Sequence, residues 1–408
     1  MKATRVDIVA AALIGVLSLW ALTAVSGRVT RSGGAGYDGE IYVEMVQNGW
    51  HRDGGGLQLR PFFIFVAEFV NYYTFRDPVA TFKALNYVYA AVLAAALALL
   101  IRSAGGDRAS TLMFVTNVSL TIAGAKMFAY NPVLIDLGAY AAITLAVYGI
   151  HEGRRSWAIA GCTVSTLSRE FGVVTALYGV VRDWRQGQPL WKTASTYALP
   201  VAAYVALHQF VVLTITLDGR QVGSLELVRR YATVWLYWEH WLFAAYFLCT
   251  VFGGVTLVLV AHARETMRAL AREYELAALI VPLLALALLG IDLWRYFAYL
   301  LPAVALLYAS LGRSGRLVPP VLATMSVATL VTQRPWQHMT EMTYFRDWFP
   351  SYELYEHPAA DHSGLWEVWI ARLVAAAALL LVMIALDRVA RRVPAALRSQ
   401  PPAVRSLS

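Results

Sequence analysis

Long apolar runs recur along this chain and are separated by short polar stretches, which is the pattern of helices packed in a membrane. About twenty apolar residues cover the hydrocarbon of a bilayer. Segments of that kind occupy 7–26, 79–101, 110–127, 131–150, 193–216, 240–262, 276–291, 296–312, 317–333 and 365–386. Residues 157–181 depart from the pattern. WAIAGCTVSTL and FGVVTALYGVV are each too short to cross alone, and Arg169 and Glu170 stand between them. A charged pair in one 25-residue helix would lie near the bilayer centre, where an ion is expensive unless it faces a wet cavity. Two short helices meeting at the pair avoid that cost. The pattern therefore predicts an all-α polytopic membrane protein with about twelve transmembrane helices, two of them short and paired as a hairpin.

Composition agrees with this class. The 408 residues are 59% hydrophobic and only 15% charged, with a mean hydropathy of +0.54, too little polar surface to cover a water-soluble core of that size. The 13 tryptophans and 22 tyrosines suit the two membrane–water boundaries. The net charge of +8 sets orientation and does not point to nucleic acid. With a cytoplasmic N-terminus and a hairpin at 157–181, the cytoplasmic pieces hold 19 Lys and Arg in 71 residues, against 10 in 109 residues outside. That is the direction the positive-inside rule requires, and it puts both termini in the cytoplasm. The first segment reads as a retained helix without a cleavage site. Residues 1–386 form a single transmembrane domain, and 387–408 a basic, disordered cytoplasmic tail. Cys162 and Cys249 fall in apolar segments and read as buried free thiols. No HExxH, CxxC or phosphate-binding P-loop motif occurs.

The external side then carries the information. The first external loop, 27–78, contains YVEMVQNGW and PFFIFVAEFVNYYTF, whose apolar spacing predicts amphipathic helices on the membrane surface. Loops near 217–239 and 334–364 lie on the same side. Several polar residues collect at that face: Tyr37, Asp38, Glu40, Asp136, Arg169, Glu170, Asp292 and Arg295. Polar groups at this depth imply a water-filled cavity open to the outside. Blander readings stand beside this one. Lys126 and Arg372 read as side chains snorkelling to the interface. Asp292 and Arg295 also fit an ordinary i,i+3 pair, Asp136 a partner for Lys126, and Glu44 an exposed surface-helix residue. His338, His357 and His362 lack ligand spacing.

YDGEIY in the first loop, LSRE between two short helices and an external DLWRY turn together resemble the GT-C class of integral membrane glycosyltransferases. They are most similar to the bacterial members with a YDGxxY element. The resemblance implies transfer of a sugar from a polyprenyl-phosphate donor to a lipid, glycan or protein acceptor on the periplasmic face of the inner membrane. It also implies inversion at the anomeric carbon. Asp38 matches the acidic residue of the first loop that acts as base or orients the acceptor, with Glu40 its nearby substitute. A carboxylate within hydrogen-bond reach takes the proton of the attacking hydroxyl, and single displacement needs no second carboxylate. Arginine suits the departing lipid phosphate, because it stays protonated and grips two oxygens; Arg169 and Arg295 are the candidates, with Arg60 third. No cofactor is obligatory on this reading, although some members use a divalent ion such as Mg²⁺ or Mn²⁺, for which Asp38, Glu40 or Asp136 would be ligands. Here Asp38 is followed by Gly39 and not by a second aspartate, and no WWD-type motif occurs. The alternatives are a surface-polysaccharide polymerase or ligase, and a flippase or transporter of lipid-linked sugars. The absence of matching internal halves speaks against transport.

Overall fold

The computed structural model describes residues 3–50, 60–169, 171–214, 231–287, 292–357 and 360–392. Among these residues there is no strand. Helix α1 (Arg5–Val25) opens with a capping box, in which Thr4 Oγ1 accepts from Asp7 N and Asp7 Oδ2 accepts from Thr4 N. Asp7 also pairs with Arg102 at 3.5 Å and Arg108 at 3.0 Å. These contacts tie the start of α1 to the end of α4 (Pro78–Ser103) and the start of α5 (Arg108–Ser119), so α1 and α4 run antiparallel. They pack closely because Gly15 meets α4; a Cβ there would lie 2.4 Å from the Ala90 carbonyl oxygen. Small residues at such crossings are how helices approach one another in lipid.

Helix α2 (Tyr37–Asn48) and α3 (Pro61–Tyr73) follow α1 and form the predicted helices of the first loop. Helix α3 buries Phe63, Ile64 and Ala67 and leaves Phe65, Phe69, Tyr72 and Tyr73 exposed, an amphipathic division. Next come α6 (Lys126–Tyr130), α7 (Asp136–His151), α8 (Arg155–Ser168), α9 (Gly172–Arg185) and α10 (Leu190–Thr214). The hairpin at 157–181 is present as α8 and α9, broken at Arg169. The second half comprises α11 (Trp238–Thr250), α12 (Gly254–Ala261), α13 (Ala263–Arg272), α14 (Ala277–Ala287), α15 (Leu293–Ala298) and α16 (Leu301–Arg313). It ends with α17 (Pro319–Gln333), α18 (Glu341–Trp348), α19 (Pro350–Glu356) and α20 (Ser363–Arg392).

Among the described residues three helices, α1, α4 and α20, are long and apolar enough to cross a membrane. The structure corrects several of the continuous spans read from hydropathy. The run 110–127 is divided into α5 and α6, and 296–312 into α15 and α16. The run 240–262 bends by 87° between α11 and α12. The predicted tail is corrected as well, since α20 continues to Arg392 with Asp387 paired to Arg391; 393–408 lie outside the described residues.

A helix that stops inside an apolar interior leaves backbone groups without partners. Here one side chain serves two breaks. Gln333, fully buried at the end of α17, accepts from Ile122 N at 2.9 Å in the α5–α6 break. Its amide nitrogen donates to Thr250 O at 2.6 Å, where α11 ends. The bend itself uses Gly253 at φ 61°, and Gly254 N donates to Thr329 Oγ1 at 2.8 Å. Gln333→Leu orphans the Ile122 donor and removes a partner of Thr250. It should destabilise the fold by about 1–3 kcal/mol for each orphaned group, measured by denaturant or thermal unfolding in detergent; an unchanged midpoint would show that the two breaks do not depend on this amide.

Candidate functional site

The YDGEIY segment is placed by its glycines. Gly36 holds φ 78° at the N-terminal boundary of α2, against the Asn131 side chain. A Cβ on Gly39 would sit 2.8 Å from Cβ of Val133, so the first turn of α2 rests on the segment leading into α7. That contact brings Asp38 beside Asp136, the first residue of α7. Arg169 arrives from another direction. It leaves α8 in extended backbone, φ −154° and ψ 133°, and the chain reverses at Gly172, where a Cβ would lie 2.3 Å from Thr166 N. Asp292 precedes α15 and Arg295 lies in its first turn.

These residues form one ion network. Arg295 Nη1 lies 3.2 Å from Asp38 Oδ2 and 2.7 Å from Asp292 Oδ2, while its Nη2 lies 2.8 Å from Asp136 Oδ2. Arg169 Nη2 is 2.7 Å from the other Asp136 oxygen. Two tyrosines lock the centre reciprocally. Tyr299, one turn after Arg295, donates to Asp136 Oδ1 at 3.3 Å, and Tyr140, one turn after Asp136, donates to the Arg295 carbonyl at 3.3 Å. Their rings meet edge to face at 4.9 Å. Side-chain exposure rises across the network: Asp136 0%, Arg169 6%, Arg295 11%, Asp292 21% and Asp38 40%. The network is sealed at Asp136 and meets water at Asp38.

The two outer carboxyls are driven apart electrostatically. Burial opposes ionisation of Asp38, but the guanidiniums of Arg295, Arg169 and Arg60 outweigh it and hold the carboxyl below the usual range. At Asp292 burial prevails over Arg295, with Asp38 and Asp136 adding to it, and the carboxyl is pushed up. Arg60, immediately before α3, also donates to the Tyr42 hydroxyl at 3.4 Å. Tyr37 lies at the rim, donating to Glu341 and stacking on Tyr344 with ring centres 6.2 Å apart.

The structure thus brings together Asp38, Asp136, Arg169, Asp292 and Arg295, with Arg60 and Tyr37 at the edge. Glu40, proposed as a substitute base, is exposed and makes no ion pair among the described residues; two positions beyond Asp38 on a helix, it turns to another face. Glu44 is exposed too. Glu170 lies outside the described residues. Asp136 pairs with Arg169 and Arg295 rather than Lys126. Lys126 and Arg372 do not snorkel: Lys126 is fully buried, and Arg372 binds Asp347 at 2.7 Å. Sequence reasoning missed Tyr42, Tyr140 and Tyr299. Each follows a charged site residue by four positions, in DGEIY, DLGAY and RYFAY, and that spacing was the available signal.

Among the described residues, no three His, Cys, Asp or Glu side chains are grouped to hold a metal ion. The Arg295 guanidinium lies among Asp38, Asp136 and Asp292. An apolar cavity of about 490 Å³ lies between α3, α4, α7 and α8, lined by Phe63, Tyr89, Gly138, Leu145, Trp157 and Val164 among others. Gly138 is two residues past Asp136. No known protein family, curated protein or solved structure matches this chain.

Removing one member of a buried pair costs about 3–5 kcal/mol, whereas an exposed pair is worth about 0–1 kcal/mol. Asp136→Ala should therefore lower unfolding stability by the first amount and Asp38→Asn by no more than the second. Equal losses in denaturant titrations would mean that Asp38 is as structural as Asp136.

Proposed function

We propose that this chain is a membrane glycosyltransferase that moves a sugar from a polyprenyl-phosphate donor to an acceptor hydroxyl on the external face of the bacterial inner membrane, with inversion. The reading is carried by the exposure gradient: Asp38 is the network carboxylate most open to water, held ionised beside two arginines that share the fully buried Asp136. The acceptor oxygen attacks the anomeric carbon, its proton passes to Asp38, and the bond from that carbon to the phosphate oxygen breaks.

The same arginines explain both the resting state and the reaction. While Arg295 pairs with Asp38, the carboxylate is a weak base. A donor phosphate competes for that guanidinium, and drawing it off restores the basicity of Asp38 when the substrate is in place. Arg169, anchored on Asp136, adds positive charge near the leaving oxygens, and Arg60 adds a third source at the rim. The apolar cavity that starts beside Gly138 and Phe63 suits the isoprenoid chain of such a donor. The acceptor enters from the watery side, past Tyr37 and Asp38.

The accompanying topology has about twelve passes, with both termini cytoplasmic and the network external. Two experiments test the reading. Asp38→Asn keeps the shape of the side chain and removes its basicity; it should lower transfer from a panel of polyprenyl-phosphate sugars by about 10²–10⁴-fold at unchanged expression, and near-normal turnover would take Asp38 out of the role. For the topology, a membrane-impermeant thiol reagent applied to intact cells should label Met342→Cys and spare Met267→Cys, both exposed positions. The reverse pattern would invert the orientation.

A further inference from the structure

A second cationic cluster lies around Asp347, on α18, and it differs from the first in its charge balance. Asp347 is fully buried. Its Oδ1 lies 3.0 Å from Arg346 Nε and 2.7 Å from Arg372 Nη2, and its Oδ2 lies 3.4 Å from Arg334 Nη2 and 2.8 Å from the Gln337 amide nitrogen. Lys126 closes the back. It donates to the carbonyls of Gln333 and Arg334 and lies 4.0 Å above the Trp348 ring. One carboxylate faces three guanidiniums, so the cluster carries excess positive charge.

A purely structural clamp has no need of that excess. One guanidinium would pair with Asp347, and each further cation adds repulsion. Burial and the neighbouring Arg372 push Arg334 below the ordinary range for arginine. Arg334 is also one of the few residues other than glycine in left-handed backbone, φ 44° and ψ 60°, where it ends α17. Such conformations are strained and persist where the surroundings enforce them. Here the turn delivers a third guanidinium to Asp347.

The cluster is partly open to solvent. Side-chain exposure is 47% for Arg346, 29% for Arg334 and 15% for Arg372. Arg334 and Arg346 each spend one donor on Asp347, and their other N–H groups have no protein acceptor among the described residues. Planar forks with spare donors around a fixed anchor are suited to the several oxygens of a phosphate.

We propose that Arg334, Arg346 and Arg372, fixed on Asp347, form a second anion site for a phosphate or diphosphate ester, separate from the Asp38 network. Asp347 acts as template: it spaces the three guanidiniums and leaves net charge for the ligand. The site stands whether or not Asp38 is a base, because it shares no ion pair with that network. It is nevertheless connected to it, since Tyr344, one turn before Asp347 and Trp348 on α18, stacks on both Tyr37 and Tyr130.

The test uses the full-length protein in nanodiscs. In zwitterionic lipid, inorganic diphosphate is titrated and binding read from the rise in melting temperature; in parallel, retention of phosphatidylglycerol is read by native mass spectrometry. The wild type should bind at least one probe, and Arg334→Gln with Arg346→Gln should weaken that binding at least tenfold while the ligand-free melting temperature changes little. Binding of diphosphate alone identifies a soluble phosphate ester, and retention of the lipid alone a lipid headgroup. Arg346→Gln alone, at the most exposed of the three arginines, should weaken binding at least threefold and serves if the double variant does not fold. No binding by the wild type, or equal binding by the variants, overturns the site.

Discussion

A guanidinium in an apolar interior is tolerated only where carboxylates surround it, and Arg295 draws its partners from two distant parts of the chain and from its own turn. Asp38 comes from the first loop, Asp136 from the start of α7, and Asp292 from the turn just before Arg295 itself. None of these ions is stable in that setting alone, because desolvation of each exceeds what one imperfect pair returns. The first turn of α2 therefore meets a residue more than two hundred positions later. Arg169 completes the arrangement by neutralising the second oxygen of Asp136, so the hairpin α8–α9 is held by the same carboxylate. First loop, hairpin and second half meet in one electrostatic knot, and the position of Asp38 at its edge is a consequence of the whole fold.

The second constraint is the interrupted helix. Hydropathy reports which residues avoid water, and it located the apolar stretches well: α1, α4 and α20 fall within a few residues of the segments read from the sequence, though α20 continues about six residues past the predicted end. It carries no information on where the backbone ladder stops. The breaks at 120–125 and 251–253 lie inside apolar sequence and are stabilised by Gln333, 211 residues from Ile122 and 83 from Thr250. Gly253 and Gly254 were visible as adjacent glycines, but a glycine pair in a membrane helix also fits close packing. The deciding factor, an amide arriving from α17, is not local.

The same distinction explains how the site could be read. Charged residues among apolar neighbours stand out because they are expensive, and this picked out Asp38, Asp136, Arg169, Asp292 and Arg295. Their pairing was less legible. Lys126 was the nearest cation to Asp136 along the chain, yet the ion pairs run to residues 33 and 159 positions away. Local spacing does predict contacts within a helix, which is why Asp292 and Arg295 were paired correctly and why the tyrosines four positions on could have been included. Glu40 failed by the same geometry, since a helix turns it away from the face that carries Asp38.

The two arginine clusters differ in a way that bears on what each can do. Around Asp136 three aspartates answer three arginines, counting Arg60 at the rim, so a phosphate entering there has to displace a carboxylate from its guanidinium. Binding is then coupled to a change in the displaced group, and on the proposed function that group is the base. Around Asp347 positive charge exceeds negative and spare N–H donors already meet solvent, so an anion can be held without displacing anything. Exchange suits a step in which protonation must change, and excess suits retention. Tyr344 and Trp348 pack on Tyr130 and Lys126 of α6 and so join the two clusters. An anion seated at Asp347 would thus bear on the helix that walls the Asp38 site without entering the site itself.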